Sequence, residues 1–417
     1  MCKKVSCEDI SKNVLVRYRS GKCDLSSSHT SLSSEKRLRS VTMAAAKKES
    51  DYTVFTVGAE QRNNSVLRRE YFDRSNIQKT FEDEGFVLVR GLLDESVLKR
   101  LRSVGKTIAV EGKHHSDRFS TLEFGPVFSV EETVFREAAL QSAIPALIAW
   151  LLGLDVDESE CDKSPLSLRV LKDAFFGKGK EENYCGWHVD DCVFWPTDAD
   201  SCGVNVWIAL DEMPSKYGGG LAISPKSHKA EWKQKAYESI GSTPTLPAEG
   251  VNPAVMTFST CEMESLNQEM NDVIEASKVE FNYRAGDCLF CHRWLFHRSV
   301  PINQEGLNFY QDGSSLTRYS IRFERGTAKL IPGFSLEPSI LTNPENSGKS
   351  LDEVCARDGP FYPQCWPPLK EEASREQESK IKWIAREILP AAMSKRSQIM
   401  KDLFAAKASE DKPAYSS

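Results

Sequence analysis

Gly186-Trp187-His188-Val189-Asp190-Asp191 is the stretch around which the rest of the chain is organised. On an extended segment side chains alternate between faces, so His188 and Asp190, two apart, point to the same side and can bind one ion together. A second histidine, His297, lies far downstream, and an arginine, Arg318, lies beyond it. Two histidines and one carboxylate on one face of a metal, with the other face open, form a donor set that suits non-haem Fe(II) working on dioxygen.

The sequence around this stretch reads as strands and turns. Leu166 to Phe176 has a buried strand pattern, Val204-Asn205-Val206-Trp207-Ile208-Ala209-Leu210 is a strand, and Gly218-Gly219-Gly220 is a turn. Leu221-Ala222-Ile223 follows and leaves the sheet at Ser224-Pro225-Lys226-Ser227-His228. Arg284-Ala285-Gly286-Asp287 makes a tight turn into Cys288-Leu289-Phe290-Cys291-His292, and Thr317 to Phe323 gives a last strand. Short strands gathered around a metal predict a mainly β fold, a jelly-roll or double-stranded β-helix of cupin type, with flanking helices.

Helices lead into this core. Ser75, Ile77 and Phe81 predict a helix stopped at Gly85, followed by a strand from Phe86 to Leu92. Asp94 caps a second helix over Val97 to Val110, whose Val97, Leu98, Leu101, Val104 and Ile108 share one face. Thr133 to Leu154 is a third amphipathic stretch, kinked or started at Pro145.

The order His188-x-Asp190, Trp207, Ser224-Pro225-Lys226-Ser227-His228, Gly286-Asp287, His297-Arg298-Ser299 and Arg318-Tyr319-Ser320 resembles the phytanoyl-CoA dioxygenase family of Fe(II)- and 2-oxoglutarate-dependent oxygenases. It covers about residues 70 to 335. The resemblance implies that His188, Asp190 and His297 are iron ligands, that Arg318 holds the distal carboxylate of 2-oxoglutarate, and that Trp207 lines the co-substrate pocket. Ser320 shares a strand face with Arg318 and is expected to add a hydroxyl to that carboxylate. Family chemistry would consume O2 and 2-oxoglutarate, release succinate and CO2, and hydroxylate an unactivated C–H bond of a small organic or acyl substrate. Asp190 argues against the related halogenases, in which a small residue replaces the carboxylate ligand. Two departures from the family pattern stand out. Lys226 occupies the glycine position of the proline-glycine-serine-histidine turn, so that turn must be made differently. Val189 stands where a polar co-substrate contact is common.

Several residues have competing readings. His292 lies five before His297 and would face the opposite side of a continuous strand, which makes it a buried, hydrogen-bonded histidine. His228 structures its turn, and His114-His115 belongs to the surface. Arg322 lies four after Arg318 on the same face, so the two could exchange roles. Cys288-x-x-Cys291 could join Cys185 and Cys192 in a zinc site, but Cys288 and Cys291 should face opposite sides of a strand. Lys172, Lys178 and Lys180 are solvated charges or contacts for an anionic substrate. A catalytically silent jelly-roll binding protein is the rival from another functional class.

Composition sets the outer limits. The 417 residues are 40% hydrophobic and 27% charged, enough to bury a large core without staples. A net charge of -6 supplies no general basic field, which argues against nucleic acid as a partner. The longest apolar run, Ala143 to Leu154, contains Pro145 and falls short of the roughly 20 residues that cross a bilayer, so no membrane span is expected. Twelve scattered cysteines read as reduced thiols of an intracellular, cytoplasmic protein. Residues 1–50 are rich in Ser, Lys and Arg and read as a disordered segment or an organellar targeting peptide, with Met43 as an alternative start. A domain is expected over 51–335, with a polar insertion at 241–278. Residues 336–417 should form an extended aromatic segment (360–368) and a helix from about Leu369 to Ala406 that pack on the domain. Nothing in the sequence bears on oligomeric state.

Overall fold

The computed structural model describes residues 48–57, 73–110, 133–154, 166–178, 185–190, 195–232 except 196 and 199, 267–310, 316–330, 344–359 except 347, and 362–383. The expectations for residues 1–47, for His114-His115, for Lys180, for 241–266 and for the helix beyond 383 lie outside the described residues.

Among the described residues, ten strands form two sheets. In chain order they are β1 (Val54–Thr56), β2 (Phe86–Arg90), β3 (Leu168–Lys178), β4 (Val204–Ala209), β5 (Leu221–Ile223), β6 (Val279–Glu280), β7 (Cys288–His292), β8 (His297–Ser299), β9 (Leu316–Arg325) and β10 (Gln364–Trp366). The large sheet runs β1-β2-β7-β4-β9-β3-β10 and the small one β6-β5-β8. Every neighbouring pair is antiparallel except β1 with β2. A double-layered mainly β core with flanking helices is the expected jelly-roll class.

Period-two alternation sorts the side chains of β4 between two cores. Val204, Val206 and Ile208 join Tyr319, Ile321 and Phe323 of β9 in a helix-side cluster, closed by Ile77, Phe81 and Ile144. Trp207 and Ala209 face the lumen between the sheets, where Leu289, Leu221 and Ile223 meet them. The same alternation sends Cys288 of β7 to the helix side and Cys291 to the lumen. Their thiols therefore diverge, and burial pushes both up, so they do not form the paired thiolates a zinc site needs. Truncating a side chain such as Phe290, which is fully buried at the centre of β7, should cost about 3–5 kcal/mol.

The helical entry follows its local signals. Helix α1 (Arg74–Glu84) opens on Asp73, whose carboxylate accepts from Asn76 N at 3.0 Å, and ends at Gly85, which takes the left-handed φ of +83°. Helix α2 (Glu95–Val110) is capped by Asp94, which accepts from Ser96 N at 2.7 Å. The stretch from Thr133, expected to be kinked or started at Pro145, is broken just before that residue. A short helix over Thr133–Arg136 passes into a π-helical turn over Glu137–Gln141, and α3 (Ile144–Leu151) starts afresh with Pro145 in its first turn. Ser142 makes the break: its hydroxyl donates to Ala138 O at 2.6 Å and accepts from Ile144 N at 3.1 Å. Val134–Leu151 has the length and hydropathy of a membrane-crossing segment, yet 78% of it is buried inside the protein, against the sheet.

The later segments close the structure. Helix α4 (Gln268–Ala276) lies in the described end of the polar insertion, and α5 (Gln304–Phe309) follows β8. The aromatic segment expected to lie over the domain instead enters the large sheet as β10, paired with β3. Helix α6 (Glu371–Trp383) is tied down by Arg136 to Glu378 at 2.6 Å and by Gln377 Nε2 to Arg357 O at 3.1 Å, while Trp383 is exposed. Cys185 is disulfide-bonded, which corrects the reading of all cysteines as reduced. Cys202, Cys288, Cys291, Cys355 and Cys365 are free.

Candidate metal and co-substrate site

His188 and His297 meet across an isolated antiparallel bridge. The backbone N–H of each donates to the carbonyl of the other at 3.0 Å, and the two rings lie 4.3 Å apart. Alternation then does the sorting. Trp187 and Val189 pack with Met270 and Ile274 of α4, while His188 and Asp190 turn toward the lumen. Ligand atoms of His188, Asp190 and His297 all lie within 4.8 Å of one another. Val189 thus faces away from the lumen, and its side chain is not at a co-substrate contact position.

The proton positions test whether this cluster fits a cation. His188 Nδ1 lies 2.7 Å from Gly186 O, and His297 Nδ1 lies 3.0 Å from Leu295 O. A carbonyl oxygen only accepts, so Nδ1 carries a proton in each ring, and Nε2 is the nitrogen a neutral ring leaves with its lone pair. Those Nε2 atoms face Asp190 Oδ1 at 3.7 and 3.6 Å. Three electron-pair donors converge with no proton of their own to share, an arrangement that a bound cation relieves. Backbone acceptors on the rear nitrogens are also what orients metal-binding imidazoles. Burial, followed by the neighbouring His297, holds His188 below the usual histidine range, which favours the neutral form.

Asp190 Oδ2 is held by other residues. It accepts from Arg322 Nη2 at 2.7 Å and from Asn205 Nδ2 at 2.8 Å, and Asn205 Oδ1 in turn accepts from Ser320 Oγ at 2.6 Å. Burial pushes the Asp190 carboxyl up, but the Arg322 guanidinium and the two imidazoles outweigh it and hold the group well below the usual carboxylate range. Asp190 therefore presents one oxygen to the cluster and keeps the other in a fixed network. Arg322, weighed against Arg318 as an anchor for the co-substrate, is committed to this carboxylate. The Ser320 hydroxyl, expected on the 2-oxoglutarate carboxylate, is instead given to Asn205.

Arg318 stands on the same face of β9 and is buried. Its Nη1 donates to Gly219 O at 2.9 Å, and its guanidinium carbon lies 6.0 Å from the Trp207 ring centroid. Trp207 packs on Tyr283 at 4.7 Å between ring centroids. His292 is elsewhere. Its Nδ1 accepts from Trp294 N at 3.1 Å, and its ring neighbours Phe81 and His228 on the helix side.

The turn after β5 places a lysine in a left-handed conformation. Lys226 has φ +66°, the left-handed conformation a glycine would adopt freely. Its N–H donates to Glu84 O at 2.8 Å, and Ser227 Oγ donates to Ser224 O at 2.6 Å and accepts from Phe296 N at 2.9 Å. Lysine thus bears a left-handed backbone strain at the position where the family pattern has glycine.

Sequence reasoning gave no role to Asn205 and missed the charge network around Asp190. A polar residue in the middle of the otherwise apolar Val204–Ala209 strand was the available signal. The pairing of Arg322 with Asp190 had none, because it joins positions 132 residues apart.

A β-sandwich lumen with two imidazoles and one carboxylate at its edge defines a class, the non-haem iron oxygenases built on a jelly roll. Residues 81–305 match the phytanoyl-CoA dioxygenase (PhyH) family, and the chain belongs to it. It is thereby a non-haem Fe(II)- and 2-oxoglutarate-dependent oxygenase. Among solved structures it is similar to the non-heme alpha ketoglutarate dependent carbocyclase SnoK from nogalamycin biosynthesis, with 15% identity over 66% of this chain and 92% of that one at a TM-score of 0.46. It is also similar to the epimerase SnoN in complex with Fe3+, alpha ketoglutarate and nogalamycin RO, with 19% identity over 67% of this chain and 95% of that one at a TM-score of 0.43. A third similar structure is EctD from S. alaskensis with 2-oxoglutarate and 5-hydroxyectoine, with 13% identity over 72% of this chain and 89% of that one at a TM-score of 0.40. No curated protein matches the chain.

Proposed function

We propose that the protein hydroxylates an unactivated C–H bond of a small organic or acyl substrate, with iron held by His188, Asp190 and His297 and 2-oxoglutarate anchored by Arg318. The observation that carries this reading is the convergence of ligand atoms of two histidines and one carboxylate within 4.8 Å of one another beside a lumen that also contains a buried arginine. Iron in such a site supplies oxygen activation coupled to oxidative decarboxylation of the 2-oxo acid, with release of succinate and CO2.

The chain supplies position and exclusion of water. Both imidazoles are kept in the metal-binding tautomer by their backbone acceptors. Arg322 and Asn205 keep Asp190 Oδ2 engaged, so the carboxylate would offer Oδ1 alone to the metal. Arg318, whose Nη1 donates to Gly219 O, would hold the far carboxylate of 2-oxoglutarate, a task to which a guanidinium is better suited than the point charge of a lysine. Trp207 and Leu289 make that end of the lumen apolar.

Hydroxylation is tested by screening small organic acids and acyl compounds for substrate-stimulated succinate release, followed by mass analysis of the product. A gain of one oxygen atom is expected. A product of unchanged mass, or one that has lost two hydrogens, would assign the same site to epimerisation or ring closure instead.

A further inference from the structure

Outside the lumen, one carboxylate touches the immediate neighbours of both histidines. Glu275, on the last turn of α4, accepts from Trp187 Nε1 at 2.8 Å on Oε2. The same oxygen accepts from Arg298 Nε at 3.0 Å, and Oε1 accepts from Arg298 Nη2 at 3.0 Å, a two-pronged ion pair. Trp187 precedes His188 and Arg298 follows His297. The Arg298 guanidinium also lies 5.3 Å from the Trp187 ring centroid, so the two residues held by Glu275 pack on each other. Lys278 approaches Oε1 from the solvent side.

Among the described residues the two histidine segments share three backbone bonds, the pair between His188 and His297 and one from Ser299 N to Cys185 O at 3.1 Å, and β8 pairs with β5 on its other side. His188 and His297 are joined by an isolated bridge, not a ladder, and β8 has only three residues. Helix α4 is anchored beneath Glu275 by Met270 and Ile274, which pack with Trp187, Val189 and Phe296, and by Ser277 Oγ, 2.7 Å from Ser224 Oγ. A rigid helix therefore presents one carboxylate to two strands at the place where ring separation is decided. Burial pushes the Glu275 carboxyl up, but the bonds from Arg298, Lys278 and Trp187 bring it down to about 2, so the clamp is ionised throughout the neutral range.

We propose that Glu275 is a positioning residue for the metal centre, holding the His188 and His297 strands at the spacing that Fe(II) binding requires through its bonds to Trp187 and Arg298. This assigns a purpose to the described end of the insertion, and it rests on the reading of His188, Asp190 and His297 as the ligands. Outer partners of metal ligands typically alter metal affinity by ~10–100-fold.

The test is anaerobic Fe(II) titration of the full chain, with thermal melting of the metal-free protein alongside. Glu275→Gln keeps the shape and loses the charge, and should weaken Fe(II) binding by about tenfold while the metal-free protein melts as the wild type does. Trp187→Phe, which removes the indole N–H together with part of the ring that packs in this cluster, should weaken it less. Lys278→Ala, which touches the same carboxylate from outside, should leave it unchanged. Wild-type Fe(II) affinity in well-folded Glu275→Gln would overturn the proposal, as would equal losses in Glu275→Gln and Lys278→Ala. If Glu275→Gln fails to fold, Trp187→Phe decides alone, and unchanged affinity there overturns the proposal. A wild-type protein that binds no Fe(II) would overturn the ligand assignment itself, and the clamp with it.

Discussion

The two sheets contribute to the site in different ways. The large sheet is a seven-stranded platform whose β3–β9 ladder alone pairs Leu168 with Arg325 and runs to Lys178 with Leu316. It carries Asn205, Trp207, Arg318 and Arg322, all set by backbone register. The small sheet has strands of two or three residues and depends on side-chain ties such as Ser227 to Phe296 and Glu275 to Arg298. Arg322 and Asn205, which hold Asp190, and Arg318, proposed above as the co-substrate anchor, sit on the large sheet. The histidine positions depend on the weaker one, where a single lost tie should be felt at the metal rather than in the fold.

That contrast predicts where damage is global. Arg322→Ala, on the platform, strands a buried carboxylate, and removing one member of such a pair costs about 3–5 kcal/mol. The metal-free variant should melt markedly lower than wild type, and Fe(II), a cation beside the same carboxylate, should restore part of the loss. Equal melting temperatures for variant and wild type would mean that Arg322 does not neutralise Asp190.

Arg318→Ala should separate co-substrate from metal. An unpaired distal carboxylate should weaken 2-oxoglutarate binding by roughly a hundredfold, with iron content retained, as measured by titration of the iron-loaded protein. Loss of iron together with 2-oxoglutarate would place Arg318 in the metal network and blur the distinction between the layers.

A smaller effect concerns pH. Burial lowers His228 from 6.5 to about 4, while its Nε2–H donates to Glu82 O at 3.0 Å. The unfolded chain takes up a proton on this residue before the folded one does, so its contribution is complete above pH 6.5 and is lost as pH falls toward about 4. His228→Gln should flatten the melting temperature across that window, an effect on the order of 1–2 kcal/mol. An unchanged slope would exclude His228 as a source of acid sensitivity. Smallest of all, Lys226→Gly should relieve the left-handed strain and raise stability by about 1 kcal/mol. A lower melting temperature would show that the Lys226–Glu84 contact at 3.5 Å outweighs the strain.

Much of this molecule was legible in its sequence, for reasons that can be named. His188 and Asp190 share a face because two residues on an extended segment always do, and the same period sends Val189 outward. Gly85 and Asp94 mark helix ends because the backbone there needs a left-handed residue or a side-chain acceptor. What stayed hidden joins distant positions. The start of a new helix at Pro145 was legible, but the part Ser142 plays beside it, bonded to Ala138 O and Ile144 N, was not. The strand made by Gln364–Trp366 needed an edge of β3 that periodicity cannot reveal. The bond from Ser320 to Asn205 depends on cross-strand register, and one residue of slippage would have aimed that hydroxyl elsewhere.

The central claim, that His188, Asp190 and His297 form the iron centre, is tested most directly by the visible charge-transfer band formed on anaerobic addition of Fe(II) and 2-oxoglutarate. Wild type and His292→Ala should both develop the band, and His297→Ala and Asp190→Ala should not, while remaining folded by circular dichroism. A band that survives in His297→Ala and vanishes in His292→Ala would contradict the assignment.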